Sequence, residues 1–348
     1  MAGGGAAFLT AAHVPPAEGE AALSLAFAAK KAGRYYGAAL RFDQVEEDAR
    51  LHRAVLAECG SVTAEIHMKW DALNPAPGVW TTRGADQLAA FTRRHELALR
   101  GHTLLWDQST PAWAKTQMAE TRDWALVSDF VQATIRRYDA DVTEWDVVNE
   151  PIESDGLRAN VFQRAYGDDY VERALVEARL ASPDARLLIN DYGFDYDNSV
   201  EEGRRRSFLR LVERLKQRGV PLDGVGVQAH LDLGKGPLKA DILRPFLADL
   251  AGLGLSIAIT ELDVKEADPG LPVVERDRRV ADEVRRYLDI VLQEPAVSGV
   301  TTWGLSDRHS WLNADDASDA VAVNRGLPYD IDMVAKPMRE AIRSQLAA

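Results

Sequence analysis

Short apolar, strand-like runs recur eight times along the chain, and each is followed by a stretch whose apolar positions return every three or four residues. The strand-like runs are Tyr35–Leu40, Ser61–Ile66, Leu99–Leu105, Val142–Val148, Arg186–Asn190, Gly224–Ala229, Ser256–Thr260 and Gly299–Trp303. Several are apolar at consecutive positions, as in Leu187-Leu188-Ile189 and Ile257-Ala258-Ile259, so both faces of those strands are expected to be covered. Between the runs lie helical segments such as Val161–Leu180, stopped before Ser182-Pro183, and Glu201–Arg218, stopped at Gly219 with Pro221 beyond.

Strand and helix alternating eight times predict an α/β fold, a single (β/α)8 TIM barrel. No Pro/Gly/Ser-rich linker or charge block divides the interior of the 348 residues, so one catalytic domain is expected over 35–348. Residues 1–34 are read as an N-terminal extension packing on it.

Lys and Arg number 41 against 54 Asp and Glu, a net charge of −13 that disfavours nucleic acid as a partner and suits a neutral or cationic substrate. Cys59 is the only cysteine, which excludes an intramolecular disulfide and any multi-cysteine metal site. No apolar stretch approaches the roughly 18 residues that span a bilayer, so no membrane association is expected. Met1 to Val14 is Ala/Gly-rich but lacks a basic start and is interrupted by His13, a weak match to an export signal. A secreted or periplasmic protein whose leader has been removed is expected, with a cytoplasmic one as the alternative, and a monomer in either case.

In barrels of this kind the working residues sit where the strands end. The fourth run ends Trp145-Asp146-Val147-Val148-Asn149-Glu150-Pro151, and the seventh ends Ile257-Ala258-Ile259-Thr260-Glu261-Leu262-Asp263. A strand-end carboxylate alone often just caps the next helix. Two glutamates delivered to one face are what glycosidic cleavage requires: one protonates the leaving oxygen and the other attacks the anomeric carbon. Glu150 is read as the acid/base and Glu261 as the nucleophile, whose charge helps its partner stay protonated near neutrality. The sixth run ends Gln228-Ala229-His230, which places His230 beside Glu261 with Asp263 available to orient it. Of the 8 tryptophans, Trp303 and Trp311 stand at the mouth, where indoles can stack on sugar rings.

Taken in order, these strand ends resemble the family 10 glycoside hydrolases, the endo-β-1,4-xylanase family. The likeness runs from about Tyr36 to the C-terminal helix. It rests on Trp145 to Glu150 (WDVVNE), Ile259 to Asp263 (ITELD), Arg100 to Trp106 (RGHTLLW), Ile189 to Tyr192 (INDY), Gln228 to His230 (QAH) and Trp303 to Trp311 (WGLSDRHSW). The resemblance implies a retaining double displacement on β-1,4-linked xylan or xylo-oligosaccharides, without a cofactor. It implies that Asn149 holds the 2-hydroxyl of the sugar being cleaved and that His230 supports Glu261. It also implies glycone contacts from Glu65, Lys69, Gln228, Trp303 and Trp311, with Tyr192 nearer the leaving group.

Two positions depart from the family pattern. Ile66 follows Glu65 where an Asn is usual, and a sugar hydroxyl left unpaired there costs about 1–3 kcal/mol. Asp107 follows Trp106 where the family places a sugar-contacting histidine. An ionised Asp only accepts hydrogen bonds, and a third carboxylate near the pair is expected to raise the working pH and disfavour acidic sugars. The alternative substrate is therefore another β-glycan or an aryl or plant β-glycoside. A catalytically silent carbohydrate-binding barrel stands further off, since both glutamates, Asn149 and His230 are present. A metal-dependent hydrolase using His102 and His230 lacks an H-x-H or H-E-x-x-H pair, and no metal is expected. The acidic run Asp315-Asp316-Ala317-Ser318-Asp319 lacks EF-hand spacing and reads as a solvated loop rather than a calcium site.

Overall fold

Eight parallel strands close on themselves in the computed structural model, which describes residues 24–313 and 323–348. The possible leader at Met1 to Val14, most of the 1–34 extension and the acidic run Asp315 to Asp319 lie outside the described residues. The barrel strands are β1 (Tyr35–Leu40), β2 (Ser61–Ala64), β3 (Ala98–Leu105), β4 (Val142–Asn149), β5 (Arg186–Asp191), β6 (Gly224–Val227), β7 (Ser256–Lys265) and β8 (Val297–Thr302). Each pairs in parallel with the next, and β8 closes the ring by pairing with β1, Tyr35 opposite Gly299.

The strand pattern was read from apolar runs, and the differences lie at the ends. β2 stops at Ala64 because Glu65 and Ile66 enter a turn in which Lys69 N donates to Ile66 O at 3.0 Å. β7 runs five residues past the predicted Thr260 because Asp263 to Lys265 pair with a short strand, His230–Asp232. The segment Val161–Leu180, expected as one helix, is two: Val161–Tyr166 and Tyr170–Ala181. Gly167 takes a φ of 77° and ends the first of them, a conformation open to glycine without steric cost. The next predicted helix forms as Ser199–Gln217, its start capped by Asn198 Oδ1 accepting from Glu201 N at 2.9 Å.

The helix Leu25–Lys31 precedes β1 and packs on the C-terminal helix Pro337–Leu346. The buried carboxylate of Glu58 ties this end together, accepting from Leu25 N at 2.9 Å and from Tyr329 Oη at 2.6 Å. No helix among the described residues is long and apolar enough to cross a membrane.

Polar side chains lie within the barrel beneath the strand ends. Arg100, 2% exposed, donates to Glu144 at 2.5 Å and to Asp146 at 3.0 Å, and Asp146 in turn lies 2.9 Å from His102 Nδ1. Burial raises the Asp146 carboxyl, but Arg100 and His102 outweigh it and hold the group below the ordinary carboxylate range. Gly101 alternates with this pair and lies under the Trp145 ring, which a Cβ would approach to 2.2 Å, so no larger residue fits there. Removing Arg100 takes the guanidinium from two buried carboxylates, leaving Asp146 to His102 and Glu144 to Arg186 at 3.5 Å. Arg100→Met is expected to lose about 3–5 kcal/mol of stability, read as a lowered urea midpoint; a loss under about 1 kcal/mol contradicts this account.

Candidate active site

The strand ends place a polar cluster at the C-terminal mouth of the barrel. Glu150 follows β4 with a φ of 56°, the left-handed region, and its N–H donates to Asn190 O at 2.8 Å. Such a backbone costs a non-glycine residue of the order of 1–3 kcal/mol and persists only where neighbours hold it. Its side chain is buried, with Asn149 Nδ2 3.5 Å from Oε1. Asn149 Oδ1 accepts from Asn190 Nδ2 at 2.8 Å and from Gln228 Nε2 at 3.3 Å.

Asn190 Nδ2 also donates to Glu261 Oε1 at 2.6 Å, and Thr260 Oγ1 fixes the amide by donating to Asn190 Oδ1 at 2.7 Å. A continuous chain of contacts thus joins the two glutamates: Glu150, Asn149, Asn190, Glu261. Gly226 makes the space for it, since a Cβ there would lie 2.1 Å from Asn190 Oδ1.

His230 stands between two carboxylates, with Nε2 3.2 Å from Glu261 Oε2 and Nδ1 2.8 Å from Asp263 Oδ1. Donation from both nitrogens requires the protonated ring. Burial lowers the imidazole, yet Asp263 and Glu261 overcome it and raise it well above 6.5. Burial pushes Glu261 up, but the hydrogen bond from His230, the fields of His102 and His230, and the Asn190 amide together hold it below the ordinary value. Asp263 also accepts from Trp311 Nε1 at 2.6 Å.

His230, raised on folding, contributes stability fully present below its unfolded value of about 6.5 and lost as pH rises through the raised one. The difference in melting temperature between the parent and His230→Ala is therefore expected to be largest below about pH 6.5 and to shrink in alkali. A difference independent of pH counts against the protonated ring.

On the other side of the cleft, Lys69 Nζ lies 4.6 Å from the centre of the Trp106 ring and 5.9 Å from that of Trp303. Burial lowers the Lys69 ammonium, against the fields of Glu261 and Glu65. Burial raises Glu65 to about 7, with Lys69 and Arg41 opposing and Asp43 and Glu261 reinforcing. Trp303 is 8% exposed, its edge against His102 at 5.1 Å between ring centres, whereas Trp311 is 55% exposed. Tyr192 follows β5 on the far side, beneath the Arg204 guanidinium at 4.1 Å. Asp107 lies in a short helical turn after β3, its Oδ1 3.2 Å from Lys115 Nζ. That cation offsets the charge expected to raise the working pH. Ile66, half-buried, follows Glu65 in the turn after β2.

Sequence reasoning gave no role to Asn190, Thr260 or Arg158. Asn190 closes an apolar run as Asn149 does, and that mark could have singled it out. No group of His, Cys, Asp and Glu side chains able to hold a metal occurs among the described residues.

A closed (β/α)8 barrel bearing two buried glutamates, one with a histidine hydrogen-bonded to it, fits a glycoside hydrolase of the two-carboxylate kind. The comparisons agree: the glycosyl hydrolase family 10 profile matches residues 24–345, and the chain belongs to that family. It is 32% identical to endo-1,4-beta-xylanase C of Phanerodontia chrysosporium over 326 residues, covering 92% of this chain and 78% of that protein. It is 36% identical to endo-1,4-beta-xylanase A of Fusarium oxysporum f. sp. lycopersici over 303 residues, 84% of this chain and 90% of that one. The structure of native xylanase 10B from Thermotoga maritima superposes with a TM-score of 0.82 at 29% identity, covering 93% of this chain and 98% of the other.

Proposed function

We propose that this enzyme cleaves β-1,4-linked xylan and xylo-oligosaccharides with retention, Glu150 serving as general acid/base and Glu261 as nucleophile. What carries the assignment is the asymmetry between the two glutamates. Glu261 is hydrogen-bonded by a protonated imidazole and an amide N–H, a setting that keeps a carboxylate ionised and aimed. Glu150 has only the weak Asn149 contact at 3.5 Å among the side-chain hydrogen bonds described above, leaving its oxygen available to a leaving group. In the first step Glu261 attacks the anomeric carbon while Glu150 gives its proton to the departing oxygen. In the second, Glu150 takes a proton from water as that water attacks the same carbon and releases Glu261.

Asn149 meets the 2-hydroxyl of the reacting sugar in this reading, its own orientation fixed by Asn190 and Gln228. Glu65, Lys69, Gln228, Trp303 and Trp311 line the glycone side, and Tyr192 the leaving-group side. Asp107 and Ile66 shape the glycone wall, Asp107 through its pairing with Lys115. No cofactor enters, since the two carboxylates supply acid, base and nucleophile. Residues 35–348 act as one monomeric catalytic domain. A polymer such as xylan does not cross a membrane, so on that substrate the enzyme of this reading works outside the cytoplasm.

The test is proton nuclear magnetic resonance of early xylohexaose hydrolysis. The β-anomer is expected to appear first; an initial α-anomer refutes retention, and absent turnover on xylan with turnover on another β-glycan refutes the substrate.

A further inference from the structure

Arg158 lies outside the strand ends, yet it engages three consecutive carbonyls around Glu150. Its Nε donates to Glu150 O at 3.1 Å, its backbone N–H to Pro151 O at 2.7 Å, and a terminal nitrogen to Ile152 O at 3.4 Å. The same terminal nitrogen donates to Tyr192 Oη at 3.0 Å, and the other lies 3.0 Å from Glu153 Oε1. The side chain is 23% exposed, so these contacts form in a partly desolvated place where they count for more than at an open surface.

The function of this bracket follows from the backbone at Glu150. A left-handed, non-glycine residue relaxes toward the extended or right-handed region unless both of its peptide groups are held. The preceding peptide is held by the Glu150 N–H to Asn190 O, and the following one by Arg158 at Glu150 O. With the second peptide released, Glu150 can leave the left-handed region, and the accompanying change in φ swings the Cα–Cβ direction and carries the carboxyl away from the leaving oxygen. Arg158 also spans from the loop after β4 to Tyr192 after β5, so it fixes the acid relative to the neighbouring wall of the cleft.

We infer that Arg158 is a positioning residue for acid/base catalysis, holding Glu150 through its main-chain carbonyl. The inference rests on the assignment of Glu150 as acid/base. Proton donation matters most when the leaving group is a poor one, so loss of the bracket shows as a dependence on the leaving group, which a general loss of folded protein does not produce.

The experiment compares kcat/KM of the parent, Arg158→Met and Arg158→Lys on phenyl and dinitrophenyl β-xylobiosides, with melting temperatures alongside. For Arg158→Met the phenyl substrate is expected to lose about 10- to 100-fold and the dinitrophenyl substrate less than about threefold, the scale of a misplaced rather than absent acid. Arg158→Lys keeps the charge but cannot reach Glu150 O and Tyr192 Oη together, and it is expected to show the same selectivity in smaller measure. Equal losses on both substrates, or parental rates on both in the Lys variant, overturn the inference. Glu150→Ala measured on the same pair separates the two readings. If it too shows no leaving-group dependence, the acid/base assignment falls; if it shows a strong one while Arg158→Met shows none, only the role of Arg158 falls.

Discussion

Glu261→Ala is expected to lower xylan turnover by about 10⁴- to 10⁶-fold, the range seen when a covalent catalyst loses its nucleophile. The structure says why the loss is this large and what remains. His230 Nε2 and Asn190 Nδ2, which now grip the carboxylate at 3.2 and 2.6 Å, are left donating into the space the side chain vacated. Two donors, one of them cationic, make that space a site for a small anion. With a dinitrophenyl xylobioside and azide, the variant is expected to form the α-glycosyl azide, because the anion attacks from the face where Glu261 stood, while Glu150 stays in place on the other. Xylan turnover within about tenfold of the parent in Glu261→Ala, far short of the loss of a nucleophile, removes Glu261 from the role.

The barrel was legible because a strand buried on both faces writes itself as consecutive apolar residues. β1 coincides with its predicted span, and β4, β5 and β7 each deliver a polar residue where the apolar run stops. Asn149, Glu150 and Glu261 stood out for that reason: a charge or amide closing an apolar strand has a place and a direction.

What the chain did not disclose was contact across distance. Asn190 joins Asn149 and Glu261, residues 41 and 71 positions away, and no local pattern encodes that meeting. The break at Gly167 was hidden because the apolar spacing of Val161–Leu180 continues across it, and only the backbone shows the turn. Asp107 was read as a third carboxylate near the pair, and its partner Lys115, from the following helix and 3.2 Å from it, carried no mark in the sequence. Arg158 was missed because it serves through main-chain carbonyls, which sequence does not distinguish.

Glu150→Ala is expected to behave differently from Glu261→Ala, and the contrast assigns the two roles. Removing a general acid costs about 10²- to 10⁴-fold in kcat/KM when the leaving group needs a proton, as a xylosyl oxygen does. Dinitrophenolate leaves without one, so for that substrate the first step stays near the parental rate and the second, which has lost its base, limits turnover. Covalent enzyme then accumulates, and both kcat and KM fall together. Azide needs no base to attack, so it is expected to restore kcat. The anion enters from the side where Glu150 stood, opposite the bond to Glu261, and gives the β-glycosyl azide. The β-product from Glu150→Ala and the α-product from Glu261→Ala together fix which carboxylate lies on which face of the sugar. Exchange of the two products between the variants means that Glu261 is the acid/base and Glu150 the nucleophile, and the hydrogen bonding of His230 to Glu261 then requires another explanation.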